Sequence, residues 1–216
     1  MPATEATRKR GRRPTTQDAV LRATSELLDA VALAELSVAQ ILKAAQVGRT
    51  SFYEHFSSKD DVVVKLLRTI STEVSDGIAP MFDRGGRSIE QAFREGLSNW
   101  TEITAGHRAL LVAVAEEWPA VGELRRIWLE LLGRVTNALA ALIEADRASG
   151  LAPAGADAQA LAASLVWGTE RTFHIAMAGH HPALIDQHSI VEPLVQLYVG
   201  TIYGRPVRCR RRPRAG

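Results

Sequence analysis

An all-α fold is predicted by three observations. Apolar residues recur at three- and four-residue spacing through almost every segment, no period-2 alternation is long enough for a strand, and Gly, Pro or Ser/Thr/Asp punctuation divides the chain into about nine helical stretches. There is no internal repeat. A hydrophobic content of 46% supports a real core, and 216 residues suffice for one large domain or two small ones.

The first helix is expected over Thr16 to Val31, with Ala19, Val20, Ala23, Leu27 and Leu28 on one face. A short helix follows from Ser37, whose hydroxyl can cap it, with Val38, Ile41, Leu42 and Ala45 on its apolar side. The periodicity breaks at Gln46-Val47-Gly48 and restarts at Arg49. The next helix, roughly Arg49 to His55, turns Arg49, Thr50, Ser51, Tyr53 and His55 outward, while Phe52 and Phe56 point to the core. Ser57 or Ser58 can cap a longer helix from Lys59 to Asp76, with Asp60 and Asp61 in its first turn, where the helix dipole favours anions. Arg84-Gly85-Gly86-Arg87 is a break. Further helices are expected over Ser88–Thr104, His107–Glu117 and Val121–Ala148. After a loop from Ser149 to Gly155, Asp157 can cap a helix ending at Gly179, and the last helix spans Ser189 to Tyr203.

Two short helices around a tight turn, the second with basic and small polar residues at its N-terminal end, suit a DNA major groove. The run Phe52-Tyr53-x-His55-Phe56-x-x-Lys59-Asp60, with Ser37-Val38 ahead of it, resembles the DNA-binding domain of the tetracycline-repressor (TetR) family of transcription regulators. The resemblance implies a helix–turn–helix head over residues 15–58, with Arg49, Thr50, Ser51, Tyr53 and His55 facing DNA and Ser37, Val38, Gly48 and Lys59 near the backbone. Arg49 is the candidate for direct guanine contact, because its guanidinium fork matches the guanine edge. The chain departs from the family in the turn, where Gln46 replaces the usual Gly and Gly48 the usual hydroxyl. Gln46 at positive φ would cost on the order of 1 kcal/mol.

Charge is uneven. Residues 1–60 hold 9 Lys/Arg against 7 Asp/Glu, residues 61–204 hold 11 against 17, and residues 205–216 hold 6 Arg and no acid. A flexible basic arm is expected over residues 1–14, and Arg12 and Arg13 are candidates for the minor groove beside the head. The Arg-rich tail, 205–216, is expected to be disordered. No apolar run approaches the length of a membrane span, so no membrane partner is expected, and the single cysteine, Cys209, fits a reducing cytoplasm.

The likeness extends over about residues 12–204, through Thr169-Glu170-Arg171-Thr172-Phe173, Ala178-Gly179 and Tyr198-Val199-x-x-Ile202-Tyr203-Gly204, into a mycobacterial branch of the family. It implies a ligand-binding and dimerisation domain over 59–204. The implied protein is a homodimeric repressor of a palindromic operator, released by a hydrophobic small molecule in a tunnel. Phe93, Trp100, Trp128, Leu131, Leu132, Val135, Val166, Thr169, Glu170, Phe173 and Tyr198 match that tunnel by position. The branch offers side-chain amides where this chain has Val166 and Thr169, so the effector is expected to differ. Leu161, Leu165 and Gly168 on one helix and Leu194, Leu197 and Ile202 on another are the expected dimer seam, an isologous four-helix arrangement.

Other functions are weighed against this one. A metal site is not expected at His174, His180, His181 and His188, because no Cys or carboxylate cluster joins them and His181-Pro182 reads as a turn. Cys209 has no resolving partner for redox sensing. Glu116, Glu117 and Glu170 lack the phosphate loop, nucleophile elbow or Cys/His pairing of an enzyme, so no catalytic residues and no cofactor are expected. Activation rather than repression, and ligand-independent architectural DNA binding, remain the alternatives.

Overall fold

The computed structural model describes residues 15–184 and 187–204, and only the backbone of 187 and 188. The predicted basic arm with Arg12 and Arg13, the side chain of His188 and the tail with Cys209 lie outside the described residues. These residues are helical apart from turns and loops: α1 (Thr16–Leu28), α2 (Val38–Ala45), α3 (Arg49–Tyr53), α4 (Lys59–Ile78), α5 (Ile89–Gly106), α6 (Arg108–Glu117), α7 (Gly122–Ala148), α8 (Ala158–Ala178) and α9 (Val191–Tyr203), with short 3-10 turns after α4 and before α9. Among them there is no strand, and no helix is long and apolar enough to cross a membrane.

The chain divides into two compact units, Met1–Val63 and Val64–Gly216. The division falls inside α4, not at its start as the sequence suggests. The first turn of α4 belongs to the smaller unit for a visible reason: Lys59 Nζ donates to the backbone oxygens of Leu33 (2.7 Å) and Ala34 (3.2 Å), and Val62 and Val63 are fully buried.

In the smaller unit α1 packs against α2 and α3. Val20, Ala23, Leu28, Ile41, Phe52 and Phe56 form its core. The helix starts follow the sequence. Thr15 with Asp18 and Ser37 with Gln40 form reciprocal capping boxes, which satisfy two otherwise orphaned N–H groups each. α1 ends at Leu28, short of the predicted Val31, because the N–H groups of Ala30 and Val31 both return to the Leu27 oxygen and close the helix into a turn.

In the larger unit α8 packs between α7 and α6, and α9 packs against α5. Gly96 lets α5 approach the 3-10 turn at Ala79–Met81: a Cβ there would lie 2.2 Å from Met81 Cγ. Arg94 on α5 meets Glu192 on α9 in a two-point pair at 3.0 Å through both Nε and Nη2, and its guanidinium holds the Glu192 carboxyl below the usual carboxylate range. At the other end of α9, the carboxylate of Asp146 on α7 accepts from Arg84 and from the Tyr203 hydroxyl (2.6 Å), tying the loop after α4 to α7 and α9.

Candidate functional site

The first candidate surface is α2–turn–α3. Gln46 terminates α2 in the left-handed region (φ 55°, ψ 41°), so the strained turn anticipated for a non-Gly residue is present. Gly48 starts α3 in extended conformation without a side-chain cap, leaving first-turn N–H groups of α3 with no side-chain acceptor. Phe52 is fully buried, with its ring 5.5 Å from Phe56 and edge-on to Tyr53 at 5.3 Å. This anchoring turns the rest of α3 outward: Gly48, Arg49, Thr50 and His55 are exposed, Tyr53 is 49% exposed, and Val38 and Ser51 are half-buried. Two of the predicted backbone-contact groups have partners of their own. The Ser37 hydroxyl accepts from Gln40 N and lies 2.7 Å from Gln40 Oε1. Lys59 spends two of its three N–H donors on the Leu33 and Ala34 carbonyls, leaving one for an external anion.

The second is an apolar cavity of about 40 Å³ in the larger unit. Of the eleven residues expected to line it, seven do: Trp100, Trp128, Leu131, Leu132, Val135, Glu170 and Phe173. The other four do not line it. Phe93, Val166, Thr169 and Tyr198 are at most 1% exposed. The Thr169 and Tyr198 hydroxyls bond each other at 3.0 Å, and the Phe93 ring sits 5.3 Å from that of Tyr198. In that bond one hydroxyl donates and the other accepts, and neither residue lines the cavity. Trp100 and Phe173 stack nearly parallel (3°, centroids 5.5 Å) on the cavity wall.

Burial pushes the Tyr198 phenol up to about 12 from its ordinary 10. The unfolded chain releases that proton near its ordinary value while the folded chain keeps it. Stability therefore falls as pH rises through this window, by about 1.4 kcal/mol per pH unit for this group. Tyr198→Phe should cost about 1 kcal/mol at neutral pH through the lost Thr169 bond and make the alkaline decline shallower. Urea unfolding at neutral and high pH measures both, and an unchanged alkaline slope would count against the assignment.

The cavity wall also carries buried polar atoms. Trp128 Nε1, Glu170 Oε2 and His174 Nδ1 are buried without hydrogen-bond partners, and all three residues line the cavity. Burial raises the Glu170 carboxyl above the usual carboxylate range against a weaker pull from Arg171, and lowers the His174 imidazole. His174 also comes together with Glu116 at the end of α6 and His180 just after α8, their ligand atoms within 4.8 Å of one another. Fold contacts, not sequence spacing, bring Glu116 to the histidines.

Three of the six residues expected at a dimer seam are turned inward within the single chain. Leu165, Leu194 and Ile202 are only 2–4% exposed within a single chain, so they have almost no surface left for a partner. Leu161 is half-buried. Gly168 and Leu197 do face outward, Leu197 at 47% exposure, beside Ser164, Pro193, Gly200 and Thr201. Leu165, Leu194 and Ile202 serve the packing within the larger unit instead.

Residues 20–66 match the family model for bacterial regulatory proteins of the tetR family, and residues 93–204 match the model for the C-terminal domain of the transcriptional regulator EthR. The chain belongs to the TetR family. Its C-terminal domain is EthR-like, and the protein is a helix–turn–helix transcriptional regulator of that type. The HTH-type transcriptional regulator EthR of Mycolicibacterium smegmatis is 30% identical over 199 residues, covering 91% of each chain. That of Mycobacterium tuberculosis is 29% identical over 209 residues, covering 94% of this chain and 96% of its own. Among solved structures of the TetR fold, the fatty acid degradation regulator FadR from Bacillus halodurans superposes with a TM-score of 0.72 at 19% identity, over 88% of this chain and 97% of its own. Regulatory protein TetR from Rhodobacter sphaeroides does so with a TM-score of 0.65 at 24% identity, over 83% and 97%. Members of this family are regulators and not, in general, enzymes.

Proposed function

We propose that this TetR-family regulator is a homodimeric repressor of a palindromic operator, released when a small amphipathic molecule enters the cavity. The observation that carries the ligand response is the unmet hydrogen bonding of Trp128 and His174, with the buried Glu170 carboxyl beside them at 3.9 Å from Arg171 Nε, in a mostly apolar wall. Unpaired buried polar atoms each cost roughly 1–3 kcal/mol, and a guest that supplies partners recovers that cost. The effector therefore has an apolar body and one polar head able to both accept and donate. A volume of about 40 Å³ accommodates water-sized groups, not such a molecule. Binding thus requires Trp100 and Phe173 to part, and the ligand shifts the population toward an expanded state by its preference for it.

The heads use Arg49, Thr50, Ser51, Tyr53 and His55 on the groove, and the Gly48 N–H, Ser37, Val38 and the remaining Lys59 donor on the backbone. Arg49→Ala should weaken specific binding by about 1–3 kcal/mol and relax the preference at one base. Uniform weakening across sequences would make Arg49 a phosphate contact instead. Two copies join through the outward faces of α8 and α9, where Gly168 and Leu197 are exposed, in a two-fold seam.

The ligand reading is tested with a panel of amphiphiles that share an alkyl body and differ in head group, scored by release of bound DNA and by quenching of tryptophan fluorescence. Release is expected for neutral hydrogen-bonding heads and much less for the bare alkane, with Trp128→Phe weakening the former selectively. Release that ignores the head group, or none at all, would contradict it.

A further inference from the structure

We propose that Glu116, His174 and His180 form a binding site for a divalent transition-metal ion of the Zn(II), Ni(II) or Co(II) class, clamping the C-terminal end of α6 to that of α8. The three residues come from two separate stretches of chain, and one ligand atom from each lies within 4.8 Å of the other two. The backbone builds this arrangement. Gly179 adopts a left-handed conformation (φ 72°) at the end of α8, and His180 N returns to the Ile175 oxygen (3.0 Å), folding the chain back so that the His180 ring stands 6.0 Å from that of His174. α6 packs on α8 and ends at Glu117, which brings the Glu116 carboxylate to the pair.

The donor set suits a borderline metal. Two imidazoles and one carboxylate leave one or more positions for water or a further ligand, a pattern used by zinc and by other first-row ions. Metal–ligand bonds of about 2.0–2.1 Å require donors about 3.3 Å apart. The trio must draw in by roughly 1.5 Å at most. Glu116 and His180 are exposed and can swing, while His174 is 6% exposed and held by its surroundings. One anchored donor and two mobile ones can close on an ion without moving a helix. His181 is not part of the set: its Nδ1 accepts from Ala183 N at 3.2 Å.

Because His174 also lines the cavity, a bound ion would fix one wall residue of the ligand cavity. The metal site itself stands whether or not the amphiphile reading holds, since its test reads metal binding directly.

The experiment is titration of the metal-stripped full-length protein with Zn(II) by calorimetry, and with Co(II) followed by its visible absorption, which reports nitrogen and oxygen ligation. One ion per chain and a raised melting temperature are expected. Glu116→Gln and His180→Ala, both at exposed positions, should each weaken binding at least about tenfold. His181→Ala and Cys209→Ser should bind as the unmodified chain does. The proposal is overturned by affinity no tighter than millimolar for both Zn(II) and Co(II), or by binding that survives Glu116→Gln combined with His180→Ala.

Discussion

Phe52→Ala is expected to abolish specific DNA binding while leaving the fluorescence of the larger unit unchanged. Phe52 is fully buried, packs on Phe56, and holds α3 against α1. Truncating such a side chain costs about 3–5 kcal/mol through lost burial and the cavity left behind. The unit it supports, Met1–Val63, is small. A unit of about fifty to sixty residues has only roughly 2–9 kcal/mol of net stability, so the loss is comparable to much of it. All four tryptophans, Trp100, Trp118, Trp128 and Trp167, lie in the larger unit and report on it alone. The expected result is a loss of helical circular dichroism and of operator affinity with an unaltered tryptophan spectrum. Operator binding within a fewfold of the parent would show that Phe52 does not anchor the recognition helix.

Asp146→Ala is expected to destabilise the larger unit by about 3–5 kcal/mol, because it leaves a partly buried guanidinium without its counter-charge. Asp146 is 5% exposed and accepts from both Arg84 and Tyr203, which themselves bond at 2.9 Å. The Tyr203 phenol is pushed up, chiefly by burial and then by its bond to this carboxylate, so it stays protonated and continues to donate. Replacing the pair together, Arg84→Met with Asp146→Leu, should recover most of the loss, since it removes the charge as well as its partner. Urea unfolding of the two variants distinguishes the cases. A single-variant cost under about 1 kcal/mol would place the pair among solvent-screened ion pairs.

Much of the fold was legible because its signals are local. Ser37 with Gln40 and Ser88 with Gln91 form capping boxes where the first apolar periodicity begins, and Gly179 and Gly204 stop the last two helices in left-handed conformation. The Gln46 turn was legible through its departure from the family's glycine. Helix ends were less so: α4 runs on through Gly77 to Ile78, since a helical glycine costs only about 1 kcal/mol and Ile78 is buried. What sequence spacing does not encode is which neighbour a side chain meets. Thr169 and Tyr198 lie on different helices, and their mutual hydrogen bond removed both from the cavity. Leu165, Leu194 and Ile202 carry apolar periodicity that fits an internal face as well as an external one. Glu116 stands 58 positions before His174, and only the packing of α6 on α8 joins them.

The proposed function rests on sequence-specific recognition by a two-fold pair of heads. It is tested most directly by selecting bound sequences from a random DNA pool with the purified protein at near-physiological salt. An enriched inverted repeat is expected, with half-site centres one helical turn, ~34 Å, apart. No enrichment, with binding that disappears as salt rises, would reduce the interaction to phosphate attraction and contradict it.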